Sequence, residues 1–214
     1  MLGRELFGHD TLGCINKQIT TITGEQPGCN PAMCALSEGP ADATAIPSPL
    51  GLLRLRPEEP GDQAFRFRLF CQSRPPEWNL VVLDPAVREE IMRMQFAAQT
   101  DTYATRFPRA RFDIIELGGE PVGRIVVNRP GAFIHIVDHA VVPAWRNRGL
   151  GTAVMRALMD EAARSGIPVR LKVADANDPS LKLYLRLGFR PIETAPLYIE
   201  LEWTAPASIT AHPS

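Results

Sequence analysis

The sequence contains no uninterrupted apolar run of about 18 residues, the length a spanning helix needs, so no transmembrane helix is expected. It carries almost no net charge. Its 23 Lys and Arg face 24 Asp and Glu, a formal −1 at pH 7. That balance offers no global attraction to nucleic acid or to an anionic membrane surface, and neither is expected as a partner. Cysteine is scarce. Cys14, Cys29, Cys34 and Cys71 are the whole set, and no second pair or histidine cluster joins Cys29 and Cys34 to complete a zinc site. Reduced thiols and no metal are the expectation. The opening MLGRELFGHDTLGC lacks the apolar block of a secretory leader, with Glu5, His9 and Asp10 where it would stand. Together these absences point to a cytoplasmic protein.

What is present divides in two. Hydrophobic residues make up 45% and charged ones 22%, the balance of a globular chain. Residues 1–49 depart from that texture, because TITGEQPGCNPAMCALSEGPADATAIPSP is rich in Gly, Pro, Ala, Thr and Ser without apolar periodicity. They read as a flexible N-terminal extension. The earlier piece LGCINKQITTI suits a strand or a helical turn, and Met33 is a candidate natural start. A domain over 50–203 and a C-terminal tail over 204–214 complete the expected organisation.

Within the domain, LGLLRLRP predicts a first strand that Pro57 ends. Glu58 to Arg74 predicts a helix with Asp62 as its N-cap. Asp84-Pro85 opens a second helix to about Thr105, with Val87, Ile91, Met94 and Ala98 as its apolar face. Gly118-Gly119 and Arg129-Pro130-Gly131 then separate three antiparallel strands at about 112–117, 122–128 and 133–142. A helix from Gly149 to Arg164 stacks Leu150, Val154, Leu158 and Ala162, and Gly166 stops it. VRLKVAD is a strand, Asp178-Pro179 opens a last helix before Gly188, and FRPIE and LYIELEW supply the final β segments. The order predicts an α/β fold with a mixed sheet and helices packed on it.

One stretch carries chemistry. In VVPAWRNRGLGTAVMRAL, Val141 and Val142 end a strand and Pro143 turns the chain away from the ladder. A helix then starts beside two cations, Arg146 and Arg148. A helix N-terminus already carries unpaired N–H groups and a partial positive charge, so cations there are unfavourable unless an anion sits on top. Gly149 and Gly151 allow close backbone approach, and the N–H groups of Asn147, Arg148, Gly149, Leu150, Gly151 and Thr152 can converge on phosphate oxygens. Rival phosphate motifs fail: no G-K-[ST] follows, and Val154 stands where a dinucleotide fold wants its third Gly. The bland alternative is a helix start whose Arg side chains are merely solvated.

Val141, Pro143, Arg146, Gly149 and Gly151 form V-x-P-x-x-R-x-x-G-x-G, which resembles the acyl-CoA signature of the GNAT superfamily of N-acetyltransferases. Downstream, Asn177, Ser180, Tyr184, Gly188 and Phe189 resemble that family's N-x-x-[AS]-x-x-x-Y-x-x-x-G-F segment. The likeness covers about residues 50–203. It implies a mixed sheet with an antiparallel N-terminal meander and helices on both faces, and acetyl-CoA as cosubstrate. It puts Val141, Val142, Arg146, Asn147, Arg148, Gly149, Leu150, Gly151, Thr152, Asn177 and Ser180 at the coenzyme. It puts Tyr184 near the coenzyme sulfur as a proton or hydrogen-bond donor, the alternative being a core Tyr beside Leu181 and Leu185. A main-chain N–H at about Val141 or Val142 would polarise the thioester carbonyl.

The acceptor amine, small molecule or peptide, must lose a proton because an alkylammonium has a pKa of about 10.4. Asp138 is the base that the resemblance suggests, and Glu116 on the neighbouring strand is a second candidate. Strict alternation groups His135, Val137 and His139 on one face of the strand, and Ile134, Ile136, Asp138 and Ala140 on the other. A structural hydrogen-bond role for Asp138 is the alternative. Arg106, Arg109 and Arg111 form a basic cluster, and Pro75, Pro76 and Trp78 occupy the loop that lines the acceptor cleft in this family. The expected function is amine acetylation by direct attack, since no Cys stands in either motif. The alternative is a non-catalytic acyl-CoA sensor or interaction module. A homodimer is compatible with the resemblance.

Overall fold

The computed structural model describes residues 44–74, 83–174, 178–196 and 198–206. The chain divides between Pro40 and Ala41, and every described residue belongs to the second unit. Its elements run β1 (Thr44–Ser48), β2 (Gly51–Pro57), α1 (Gln63–Gln72), α2 (Pro85–Arg106), β3 (Arg111–Leu117), β4 (Glu120–Asn128), β5 (Ile134–Val141), α3 (Leu150–Ser165), β6 (Val169–Val173), α4 (Asp178–Arg186), β7 (Arg190–Ala195) and β8 (Tyr198–Trp203). The eight strands form one sheet in the order β1-β2-β3-β4-β5-β6-β8-β7. Every neighbouring pair is antiparallel except β5 and β6.

Helices cover both faces. Ile114 and Ile115 are adjacent in β3 and point opposite ways. Ile115 joins the large core against α3, where Leu150, Val154, Leu158 and Ala162 are all buried as their spacing predicts. Ile114 joins the smaller cluster against α1, with Phe65, Leu69, Ala140 and Val142. Burying each such leucine removes it from water at a gain of about 2 kcal/mol. Gly166 ends α3 in the left-handed conformation, at φ 66°. The Asp84 carboxylate caps α2 by accepting from the Ala86 N–H at 2.8 Å.

Four local expectations are corrected. Residues 44–48, read as part of the extension, form the edge strand β1, where Pro47 is tolerated. The expected apolar face of α2 is turned outward at Val87 and Met94, which are 47% and 63% exposed, while Met92 and Gln99 are buried. Phe96 accounts for the rotation, because its ring meets Phe67 and Phe70 of α1 edge-on at 5.6 and 5.5 Å. Asp62 stands at the N-cap position of α1 without capping it. Its carboxylate instead takes the forked guanidinium of Arg56 at 2.7 and 2.8 Å and the Glu59 N–H at 2.8 Å. Finally, β5 is not a regular strand. Val126 pairs with Asp138 but Val127 with Ile136, so Val137 bulges out of the ladder. Ile136 therefore faces α3 while Asp138 and Ala140 face α1, against the grouping that strict alternation predicts.

Candidate active site

The site begins where two strands part. β5 pairs with β6 only over Ile134–Ile136, although β5 continues to Val141 and β6 to Val173. Beyond Ile136 the β5 edge facing β6 has no ladder partner among the described residues. The Val142 N–H is spent on the Val122 carbonyl at 2.9 Å. Successive N–H groups of a strand point to opposite sides, so the Val141 N–H faces the gap. Of the two main-chain donors expected here, Val141 is the one free for a ligand.

The start of α3 lies at the end of that gap. Asn147 and Gly149 adopt left-handed backbone at φ 58° and 83° and turn the chain sharply into the helix. No side chain caps α3 and no acid stands in its first turn, which leaves the N–H groups of Leu150, Gly151 and Thr152 without intrahelical acceptors. These features fit an extended ligand that ends in a phosphate group. Other expected residues are committed elsewhere. Arg146 donates through Nε to the Val141 carbonyl at 2.9 Å and through Nη2 to the Gln72 carbonyl at 3.3 Å, bracing the end of α1. Burial lowers its pKa. The Arg148 guanidinium lies 5.2 Å over the Trp145 ring. The Leu150 side chain is in the core.

The glycines have reasons of their own. A methyl group built on Gly149 would stand 2.9 Å from Cγ of Pro49 in the β1–β2 turn. One built on Gly151 would stand 3.0 Å from Cε1 of His139. Both residues are small because protein atoms sit beside them, which the sequence pattern alone does not reveal. Ser180 is half-buried in the first turn of α4. Asn177, Pro75, Pro76 and Trp78 lie outside the described residues, as do Cys14, Cys29, Cys34, Met33 and the segment LGCINKQITTI.

Asp138 sits at the centre of a charged layer under α1 and α2. Its carboxylate, on a side chain 26% exposed, accepts from Arg124 Nη1 at 2.9 Å. Arg124 is buried and also pairs with Glu58, which in turn holds Arg66 at 3.1 Å. Burial opposes the charge on Arg124, but Asp138 and Glu58 outweigh it and keep the pKa above its ordinary value. Tyr103 of α2 joins this layer, its ring 5.9 Å from the Arg124 guanidinium. Burial, then the charge of Asp138, pushes its hydroxyl well above the tyrosine range.

Tyr184 is buried in α4, with its ring edge-on to Phe189 at 5.7 Å. It is thus packed in the core with Leu181 but not with Leu185, which is 45% exposed, and its hydroxyl also feels Asp138. Burial first, then that charge, holds its pKa well above 10.0 and keeps the phenol protonated as a donor. Glu116 is not brought to Asp138. It lies on β3, two strands from β5, and accepts from Arg56 Nε at 2.6 Å.

Sequence reasoning did not single out Arg124 and Glu58 beside Asp138, and considered His139 only for its face of the strand. An arginine inside the apolar run PVGRIVVN was the visible signal for the first. The His139 Nε2 is buried without a hydrogen-bond partner, and burial lowers the pKa of the ring against a smaller opposing pull from Asp138. Cys71 is a free thiol. Among the described residues no cluster of three potential metal ligands occurs, and no helix is long and apolar enough to cross a membrane.

A mixed sheet that splays between two strands beside a helix start suits a ligand with an extended arm and an anionic end. Comparison with known proteins gives the family. The model of the acetyltransferase (GNAT) family matches residues 71–189, more than half of the chain, and the chain belongs to that family. An N-alpha-acetyltransferase of Sulfurisphaera tokodaii is 31% identical over 98 residues, 39% of this chain and 59% of that one. A mycothiol acetyltransferase of Nocardiopsis dassonvillei is 27% identical over 198 residues, 83% of this chain and 53% of that one. The matches thus span between half and three-fifths of the length of these relatives. Among solved structures, the PaiA N-acetyltransferase of Thermoplasma acidophilum in complex with coenzyme A superposes with a TM-score of 0.54 at 14% identity, covering 72% of this chain and 99% of that one. Mycobacterium smegmatis RimJ in complex with CoA-disulfide gives 0.53 at 20% identity, covering 77% and 88%. At these identities the structural likeness is one of fold.

Proposed function

We propose that this chain transfers an acetyl group from acetyl-CoA to a primary amine by direct attack in a ternary complex, and that it does so in the cytoplasm. The observation that carries the reading is the parting of β5 from β6 after Ile136, beside the start of α3. The N–H groups at Asn147 to Thr152 hold the diphosphate, with Arg148 beside them, and Asn177 and Ser180 complete the coenzyme site. Acetyl-CoA supplies the acetyl group already activated as a thioester. The Val141 N–H donates to the carbonyl oxygen and favours the negative charge that develops there. Asp138 takes the proton of the attacking amine, and Arg124 holds its carboxylate in place. As the C–N bond forms and the C–S bond breaks, the Tyr184 hydroxyl donates to the leaving sulfur. Glu116 takes no part, because it lies on β3, two strands from Asp138 and from the parting of β5 and β6.

The test is a screen of labelled acetyl transfer over amines, peptides and aminoglycosides, with Tyr184→Phe and Asp138→Asn beside the wild type. Each variant is expected to lower kcat by about 100-fold. Affinity for CoA should change less than about twofold, since neither side chain is needed for the phosphate contacts. Tight CoA binding with no turnover on any acceptor would instead assign the chain as an acyl-CoA-binding module.

A further inference from the structure

Arg74 stands apart from every other cation around Asp138. It follows α1, and its guanidinium carbon lies 3.9 Å over the centre of the Phe70 ring. Its Nε is buried and has no hydrogen-bond partner. Among the described residues no carboxylate pairs with it, and none on this face is spare. Glu58 and Asp138 are engaged by Arg124, and Asp62 and Glu116 by Arg56. Its electrostatic neighbours are Tyr103, Cys71 and Asp138. Burial raises the pKa of both Tyr103 and Cys71, so both are neutral. A half-buried guanidinium whose Nε has no acceptor is costly, and burial lowers its pKa against smaller opposing pulls that include Asp138. Stacking on Phe70 occupies the face of the guanidinium and leaves its hydrogen-bonding edge for another group. That edge, Nε with an Nη, matches the two oxygens of a planar carboxylate.

We infer that Arg74 is a specificity-determining residue that binds a carboxylate on the acceptor, so that the acceptor is an amino acid rather than a simple amine. This rests on the acetyl-transfer reading. The amine reaches Asp138 while the carboxylate completes the bidentate pair that Arg74 lacks. A neutral amine leaves Arg74 uncompensated and binds more weakly.

Wild type, Arg74→Gln and Arg74→Lys are compared on α-, β- and γ-amino acids, each against its own amide. For wild type, the best acid should exceed its amide at least tenfold in kcat/KM, with the difference in KM. Arg74→Gln should raise KM for the acid at least tenfold, while KM for the amide and kcat for both move less than threefold. Arg74→Lys keeps the charge but loses the fork, and should fall between. Equal use of acid and amide by wild type, or an equal loss on both in Arg74→Gln, overturns the inference. If no amine is acetylated, calorimetric titration of N-acetyl amino acids and their amides onto the CoA-saturated protein separates the two readings. Arg74-dependent preference for the acid keeps the carboxylate site and refutes transfer; no preference refutes the carboxylate site itself.

Discussion

His135 makes the stability of the β5 region depend on pH in a way that can be worked out. Its ring sits on β5 between Phe107, just beyond α2, and Phe133, with centroids at 5.3 and 6.2 Å. Burial, and to a lesser degree the charge of Lys172, pushes its pKa down from 6.5 to about 4. The folded protein therefore holds a neutral ring where the unfolded chain would already be protonated. Stability is complete above about pH 6.5 and is lost as pH falls toward 4, below which both states carry the proton. Between pH 7 and pH 5 the two pKa values correspond to a loss of about 2 kcal/mol, and the full shift to about 3 kcal/mol. Urea unfolding followed by circular dichroism at pH 7, 6 and 5 measures it. His135→Phe and His135→Leu cannot titrate and should lose correspondingly less over the same range, whatever their stability at pH 7. His139 is depressed in the same direction and remains in all three proteins, so the difference between the curves isolates His135. A variant whose loss from pH 7 to 5 matches the wild type within about 0.5 kcal/mol refutes the reasoning, since that is the resolution of the extrapolation.

Two more perturbations test the packing around the site. Glu58→Gln leaves Arg124 and Arg66 short of a carboxylate and should cost about 3 kcal/mol, read as a drop in the urea midpoint without a change in slope. Gly149→Ala forces a side chain into left-handed backbone and against Pro49, and should cost about 2 kcal/mol even without ligand. Adding Pro49→Gly should recover the steric part of that loss but not the backbone part, read as a partial return of Tm.

Much of the fold was legible because its signals are local. The hairpins at Gly118-Gly119 and Pro130-Gly131, the Asp84-Pro85 start and the Gly166 stop each state their geometry within a few residues. What stayed hidden depends on neighbours distant in sequence. β1 is short and carries Pro47, so its own residues argue against a strand, and only pairing with β2 makes it one. The buried stripe of α2 includes Gln99, and Phe96 is steered by aromatic rings on α1. The bulge at Val137 has no glycine to announce it, and a single extra residue reverses the faces of everything that follows.

The same distinction governs the site. Tyr184 and Asp138 were visible as residue types, but the Arg124 that holds Asp138 arrives from β4, and the Glu58 that holds Arg124 from the residue after β2. The glycine pattern shows the cost of reading spacing alone. Gly149 and Gly151 suit an anion's approach, yet Pro49 and His139 already crowd any side chain placed there. Two physical causes lead to one residue type, so loss of function on replacing either glycine cannot be assigned to the coenzyme. Groups with a single commitment discriminate better. The Val141 N–H faces the gap because Val142 is spent on Val122. Glu116 lies two strands from β5, and among the described residues no carboxylate pairs with Arg74. Accounting for partners, rather than matching residue types, is what separates the groups available to a substrate from those already used by the fold.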